Sequence, residues 1–172
     1  MSTASQGVRT TAGRWVIAGL IGGLIAGVIF AAFEMVVAAI MGQGFFTPLM
    51  MIGAIGLGKE ALPTPKPMIG LSTIVPVGLA IHMFLSMIYG VVFGAFVWGV
   101  SFLHGNRLRL VGAATIFGLV LWIVNFYVIA PLAFSWFAMA NPVVQFFAHT
   151  FFFGTVLGLL LSARGAPGRN GG

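Results

Sequence analysis

The sequence predicts an all-α, polytopic membrane protein with four transmembrane helices in a single domain, residues 1–163. Hydrophobic residues make up 60% of the 172 positions, whereas Lys and Arg together number 8 and Asp and Glu 2. The apolar runs are far longer than the roughly ten residues that a barrel strand needs to cross a bilayer. A helix also satisfies its own backbone polar groups inside lipid. We therefore expect helices at about 15–41, 76–103, 110–131 and 143–163, followed by a disordered cytoplasmic tail at 164–172.

The first predicted helix, 15–41, is too long to be the apolar region of a cleavable signal peptide. Gly19, Gly23 and Gly27 recur at every fourth position, a spacing that lets two membrane helices approach closely. Glu34 lies near the far end of this helix. In the long connection that follows, the apolar segment at about 48–58 is too short to cross the bilayer. We expect this segment to be extracytoplasmic and either interfacial or re-entrant.

The second predicted helix carries a stripe of small or polar residues within an apolar sequence. Positions four apart lie on nearly the same helix face, and those of the stripe are Gly78, His82, Ser86, Gly90 and Gly94. The third predicted helix carries Asn125, and the fourth carries His149 together with Gly154 and Gly158. We expect Gly90, Gly94, Gly154 and Gly158, like the glycines of the first helix, to let neighbouring helices pack closely.

The two halves of the chain share a weak pattern that indicates an internal duplication. Gly27 precedes Glu34 by seven residues, and Gly118 precedes Asn125 by the same interval. In the second and fourth helices, a Pro precedes the His by six or seven residues and a pair of glycines four apart follows it. Two helices in each unit predict a parallel repeat, which is one way of building membrane bundles.

The basic residues are distributed unevenly along the chain. The two ends and the connection between the second and third helices hold six arginines, whereas the other connections hold Lys59 and Lys66; the arginines are Arg9, Arg14, Arg107, Arg109, Arg164 and Arg169. The positive-inside rule then predicts that both termini lie in the cytoplasm, with the protein in the prokaryotic inner membrane. Because this distribution explains the net charge of +6, we do not expect nucleic acid as a partner.

Each predicted helix brings one strongly polar residue to a similar depth, about one third of the way in from the outer boundary or nearer to it. These residues are Glu34, His82, Asn125 and His149. Ionisable groups inside a membrane normally face the bundle interior and find partners. The plainest hypothesis is a hydrogen-bonded polar cluster, with Glu34 paired to one His and Asn125 to the other. Gln145, one helical turn before His149, either joins this cluster or caps the fourth helix.

Three other hypotheses use the same residues. His82 and His149 on separate helices are able to serve as axial ligands of haem b. A transition-metal ion held by His82, His149 and Glu34 would have a suitable set of nitrogen and oxygen ligands. A small transporter or a proton-conducting protein would use Glu34 and the two histidines along its path.

The composition argues against an enzyme. The chain has no Cys and only 2 acidic residues, and it contains no pair of carboxylates, phosphate-binding loop or Ser-His-Asp order. Acid–base hydrolysis and thiol chemistry are therefore not expected. The sequence favours a non-catalytic integral inner-membrane protein that acts as a helix-packing subunit or accessory component of a membrane complex. Its expected partners are the lipid bilayer and either copies of itself or other membrane subunits.

The arrangement of these residues resembles a diffuse set of small prokaryotic four-helix membrane proteins, of which the YagU-like inner-membrane proteins are an example. The resemblance rests on the glycine-rich first helix, on His82 with its following glycines, on the Gly118-xxx-Trp122 pair, on Pro131 and on His149 with its following glycines. It extends over roughly residues 15–163. What it implies is a fold and a location, and not a reaction.

Overall fold

The computed structural model describes residues 3–63 and 66–165, and these residues form helices and connections without a β-strand. Four helices are long and apolar enough to cross a membrane: Ala12–Ile40, Leu71–Gly99, Arg107–Ala133 and Pro142–Ala163. We call them the first to fourth spans. The prediction of an all-α polytopic membrane protein is thereby confirmed.

The ends of the first two spans differ from the predicted bounds. The first helix begins at Thr3, well before the expected start at about residue 15. The second span begins at Leu71, although Pro76 was expected to start it. A proline this close to the beginning of a helix removes only one hydrogen bond in the first turns. The second span ends at Gly99, and Ser101–Leu103 forms a separate 3₁₀ turn.

Asparagine side chains begin the other two spans. The Asn106 side chain accepts a hydrogen bond from the backbone N–H of Arg109 at 3.0 Å, so the third span starts at Arg107. The Asn141 side chain accepts from the backbone N–H of Val143 at 2.9 Å, and Pro142 occupies the first position of the fourth span. The asparagine side chains accept from N–H groups that have no partner within the helix, and Pro142 has no N–H that would need one. The last helix continues to Gly165, whereas most of the expected disordered tail, 166–172, lies outside the described residues.

The apolar segment expected at 48–58 is a short helix, Thr47–Leu57, that packs against the beginning of the second span. Pro48 lies in its first turn, and Gly58 ends it with a positive φ of 84°. Its backbone approaches the second span at Gly78, where an added Cβ would lie 3.2 Å from the backbone nitrogen of Gly53. The short helix therefore covers one end of the bundle, which we call the short-helix end; the opposite end is the terminal end.

The spans pack in the order second, first, fourth, third. The first span contacts both the second and the fourth along its length, and the third contacts the fourth. The second and third spans follow each other in sequence, but their backbones approach each other at few points and mainly side chains connect them. Two tight pairs, the first with the second and the third with the fourth, therefore leave a gap between the second and third spans.

Glycines bring the first and second spans into backbone contact. A Cβ added to Gly90 would lie 2.8 Å from the Cα of Gly23, and one added to Gly94 would lie 3.2 Å from the Cα of Gly19. A Cβ on Gly27 would lie 2.5 Å from the hydroxyl oxygen of Ser86. Because such separations leave no room for a side chain, only glycine allows the two helices to lie this close.

The third and fourth spans meet in the same manner. A Cβ added to Gly154 would lie 3.0 Å from the Cα of Gly118, and one added to Gly158 would lie 2.7 Å from the Cβ of Ala114. Each tight pair thus consists of two spans that are consecutive in sequence. The internal duplication itself stays a prediction.

We expect the glycine contacts to respond to a single methyl group. Gly90→Ala should lower the free energy of unfolding by about 1–3 kcal/mol, because the methyl group overpacks the contact with Gly23. Gly112 provides a matched control, because a Cβ there meets nothing within 4 Å. Gly112→Ala should be neutral or slightly stabilising, as expected for alanine in a helix. Unfolding in mixed micelles measures both variants, and equal stability of the two would contradict the packing described here.

Candidate functional site

A cavity of about 350 Å³ occupies the gap between the second and third spans on the side of the short helix. Its walls are mostly apolar and come from all four spans, from the short helix and from the connection between the third and fourth spans. The four residues that the sequence singled out all line this cavity: Glu34, His82, Asn125 and His149. The structure therefore brings together the expected polar cluster around an open volume.

The cavity has a mouth on the lipid-facing side of the bundle. Phe84 of the second span and Ile129 of the third span both line it, yet they are 60% and 40% exposed. By contrast, Glu34 is 5% exposed and lies on the opposite side, on the first span. The cavity therefore runs from an apolar mouth between two spans to a polar inner wall.

Towards the terminal end, aromatic residues close the cavity. The hydroxyl of Tyr89 donates a hydrogen bond to the Asn125 side-chain oxygen at 3.0 Å, which links the second and third spans. One turn further along, the rings of Phe93 and Phe117 lie 5.1 Å apart. The core beyond these contacts contains Val97 and Leu157, both 0% exposed. Within the described residues, the cavity thus ends at this level.

At the short-helix end, the cavity is covered by two elements. The short helix contributes Met51 and Ile52 to the lining, and the 3₁₀ helix Ser135–Met139 contributes Phe137. The two elements are joined by the indole N–H of Trp136, which donates a hydrogen bond to the Met51 carbonyl oxygen at 3.0 Å. This bond fixes the cover over the cavity.

The partner of Glu34 is Gln145, whose side-chain N–H donates a hydrogen bond to the Glu34 carboxyl. The bond joins the first and fourth spans at the inner wall of the cavity. Gln145 is a neutral amide, so it satisfies one oxygen without compensating a negative charge. This arrangement differs from the predicted pairing of Glu34 with a histidine, which is wrong for the described structure.

The two histidines bond to backbone carbonyls instead. His82 donates from Nε2 to the Gly27 carbonyl at 2.9 Å, and His149 donates from Nδ1 to the Gln145 carbonyl at 2.9 Å. Both imidazoles also pack against Phe30, with ring centroids 5.1 Å and 4.8 Å from it. The predicted pairing of Asn125 with a histidine is likewise wrong, because Asn125 accepts its hydrogen bond from Tyr89.

Two π-helical segments lie at the level of the cavity. Val124–Ile129 interrupts the third span at Asn125, and Ala148–Thr155 interrupts the fourth span at His149. The wider turn of a π-helix shifts the side chains that follow it, and such segments occur frequently at functional sites. The Thr115 and Thr155 hydroxyls are hydrogen-bonded at 2.8 Å, which holds the two spans together beside these segments.

This geometry bears on the metal and haem hypotheses. The described residues contain no group of three His, Cys, Asp or Glu side chains placed to hold a metal ion, so Glu34, His82 and His149 do not form the predicted metal site. A bis-histidine haem requires a flat gap between its two imidazoles. Phe30 packs on both rings, and His82 already uses Nε2, so this arrangement does not favour haem.

Three residues of the site were not among the predicted cluster of four: Gln145, Tyr89 and Phe30. The spacing of Gln145 and His149, one helical turn apart, was the available signal for Gln145. Tyr89 was detectable as a phenol within an apolar helix, because a buried hydroxyl needs a partner. Phe30 had no distinguishing signal, since it is one of 17 phenylalanines in the chain.

We expect the Tyr89–Asn125 hydrogen bond to show coupling in a double-mutant cycle. Tyr89→Phe and Asn125→Leu should each lower the free energy of unfolding by about 0.6 kcal/mol, the average for such bonds in membranes, and by no more than about 1.7 kcal/mol, the largest value measured. The double variant should lose less than the sum of the two. The other tyrosine, Tyr127, is 59% exposed, and Tyr127→Phe serves as the control. Strict additivity of the two substitutions would mean that the bond contributes nothing.

In comparisons with known proteins, no family model, no curated protein and no solved structure matches the chain. The resemblance to YagU-like proteins accordingly stays a prediction.

Proposed function

We propose that this protein is a non-catalytic, multi-pass protein of the prokaryotic cytoplasmic membrane that binds a small lipophilic molecule between its second and third spans. The observation that carries the proposal is the cavity of about 350 Å³, with its lipid-facing mouth and its polar inner wall. Small-molecule sites typically occupy roughly 300–1,000 Å³ and combine apolar walls with a few convergent polar groups. A lipid-facing mouth suits a molecule that reaches the site from the bilayer.

Binding accounts for the geometry better than conduction does. A transporter or proton path needs polar groups on both sides of the site. Beyond Tyr89 and Asn125, the apolar side chains of Phe93 and Val97, both 0% exposed, fill the space between the second and third spans. The cavity resembles a closed-ended site in which a molecule is held.

The two acidic residues support a non-catalytic role. Glu34 lies in the cavity with Gln145 as its partner, whereas Glu60 is exposed in the connection after the short helix. They do not form a pair of carboxylates that would divide acid and base roles. We therefore retain the hypothesis of an accessory component, with ligand binding as its molecular activity.

Association with copies of itself or with other membrane subunits is the further part of this proposal. The glycine stripes that motivated it are used within the chain, because they pack the first span on the second and the third on the fourth. A partner subunit would therefore meet the lipid-facing side chains of the spans. The resemblance to YagU-like proteins supports the location and is compatible with an accessory role.

The proposed orientation follows from the charges at the two ends of the bundle. Arg14 begins the first span and Arg107 and Arg109 begin the third, all at the terminal end, whereas Lys59 lies beyond the short helix. The positive-inside rule places the terminal end in the cytoplasm. The cavity then lies in the outer half of the bilayer.

Reporter fusions test this orientation. We expect alkaline phosphatase to be inactive when it is fused after Gly172 or within the turn at 104–109, and active when it is fused near Lys66. Green fluorescent protein should give the reverse pattern at the same positions. Phosphatase activity at the C-terminus would contradict the proposed orientation.

Photolabelling tests the binding site directly. Adamantyl diazirine, a small apolar probe, should label cavity residues of the protein in liposomes, notably within 81–89 and 121–130, as well as side chains that face lipid. Ala140 lines the cavity, so Ala140→Phe should reduce labelling inside the cavity by filling it. Peptide mass spectrometry measures both kinds of labelling in one sample.

Ala138→Phe is the matched control, because Ala138 is exposed and does not line the cavity. Labelling of the lipid-facing side chain Ile17, which is 60% exposed, is the internal reference in every variant. Cavity residues that label no more than the apolar core beyond Phe93 would refute the proposed site.

A further inference from the structure

We propose that the molecule held in the cavity is an amphiphilic organic cation, with a protonated or quaternary amine at Glu34 and an apolar body directed towards the mouth. The inference rests on the proposed function and adds the ligand class. It follows from the charges, the aromatic lining and the depth gradient of the cavity.

The described lining of the cavity contains an acidic side chain and no basic one apart from the two histidines. Glu34 lines it, and none of the described lining residues is Lys or Arg. Away from their ends, the four spans contain no other Asp, Glu, Lys or Arg. A buried carboxyl is either protonated and neutral, or ionised at a cost that a nearby positive charge offsets. The neutral amide of Gln145 provides a hydrogen bond without that charge, so a bound cation would complete the site.

The two histidines do not supply this charge. Each already donates one N–H to a backbone carbonyl, His82 to Gly27 and His149 to Gln145. A neutral imidazole is sufficient for either bond, and a charged one would carry a desolvation cost in this apolar wall. Their positions against Phe30 also hold them in place as part of the wall.

The remaining lining is rich in aromatic rings. Rings attract a cation through their negative faces, and cages of them recognise ammonium groups. Besides Phe84 at the mouth, the rings that line the cavity together with Glu34 are Phe30, Tyr89, Phe126, Phe134, Phe137 and Phe153. An anion would find no Lys or Arg in the described lining, and only a cation would offset the charge of an ionised Glu34.

The depth of the groups fits an amphiphile. Glu34 is 5% exposed at the inner wall, whereas Phe84 is 60% exposed at the mouth. A molecule with its amine at Glu34 would therefore place its apolar part along the second and third spans. Such a molecule partitions into the bilayer and meets the mouth from the side.

Two probes of nearly equal shape test the charge preference. The cation 1-adamantylammonium and the alcohol 1-adamantanol should each compete with adamantyl diazirine for labelling of the cavity residues. In Glu34→Gln, we expect the ammonium concentration for half-protection to rise at least about tenfold, because a charge-assisted hydrogen bond is lost. The alcohol concentration for half-protection should change less than about twofold, because the alcohol makes only a neutral hydrogen bond at this position. Comparing each probe between variants removes the difference in membrane partitioning.

The chain provides a matched control in its only other acid. Glu60→Gln removes the same charge outside the cavity and should alter neither probe. Glu34→Asp keeps a carboxylate and should keep the preference for the ammonium. The cation proposal would be overturned if the ammonium concentration for half-protection were unchanged in Glu34→Gln, or if it rose equally for both probes. It would also be overturned if Glu34→Asp lost the preference for the ammonium. Diazirine labelling of the cavity would still stand in those cases, whereas its absence would refute the proposed function itself.

Discussion

The close backbone contact between the first and second spans is the interaction on which the rest of the structure depends. Gly19 and Gly23 face Gly90 and Gly94 so closely that added Cβ atoms would collide. Helices inside a bilayer gain little from the hydrophobic effect between them, so tight packing and hydrogen bonds must hold them together. Because the second span commits its glycine face to the first, it has no comparable face for the third. The gap that becomes the cavity is a consequence.

The same contact places the polar groups of the site. His82 reaches the Gly27 carbonyl at 2.9 Å because Gly27 has no side chain in the way, and Ser86 lies beside it. On the other pair, Gly118 and Gly154 bring the third span close to the π-helical segment that carries His149. Each tight pair therefore delivers one imidazole to the cavity, and Phe30, which belongs to the apolar core, packs on both rings.

A carboxyl, two imidazoles and two amides at membrane depth carry a cost that a purely structural role has little reason to bear. Their grouping around an open volume, and not within a packed core, is what favours ligand binding. The lipid-facing mouth and the aromatic closure beyond Tyr89 then favour a molecule that enters from the bilayer and stays. The carboxyl of Glu34 is hydrogen-bonded only to a neutral amide, which is the basis for proposing a cation.

The sequence by itself determined the number of spans and their approximate bounds, because hydropathy is a local property. It also predicted that Glu34, His82, Asn125 and His149 lie at one depth, since depth follows from position along a helix. Only the tertiary structure decided which side chains pair. Glu34 bonds to Gln145 and Asn125 to Tyr89 because helix order and rotation bring those groups together. The cavity likewise arises because the two helix pairs pack together through the first and fourth spans and leave the second and third apart, and no local pattern in the chain encodes that gap.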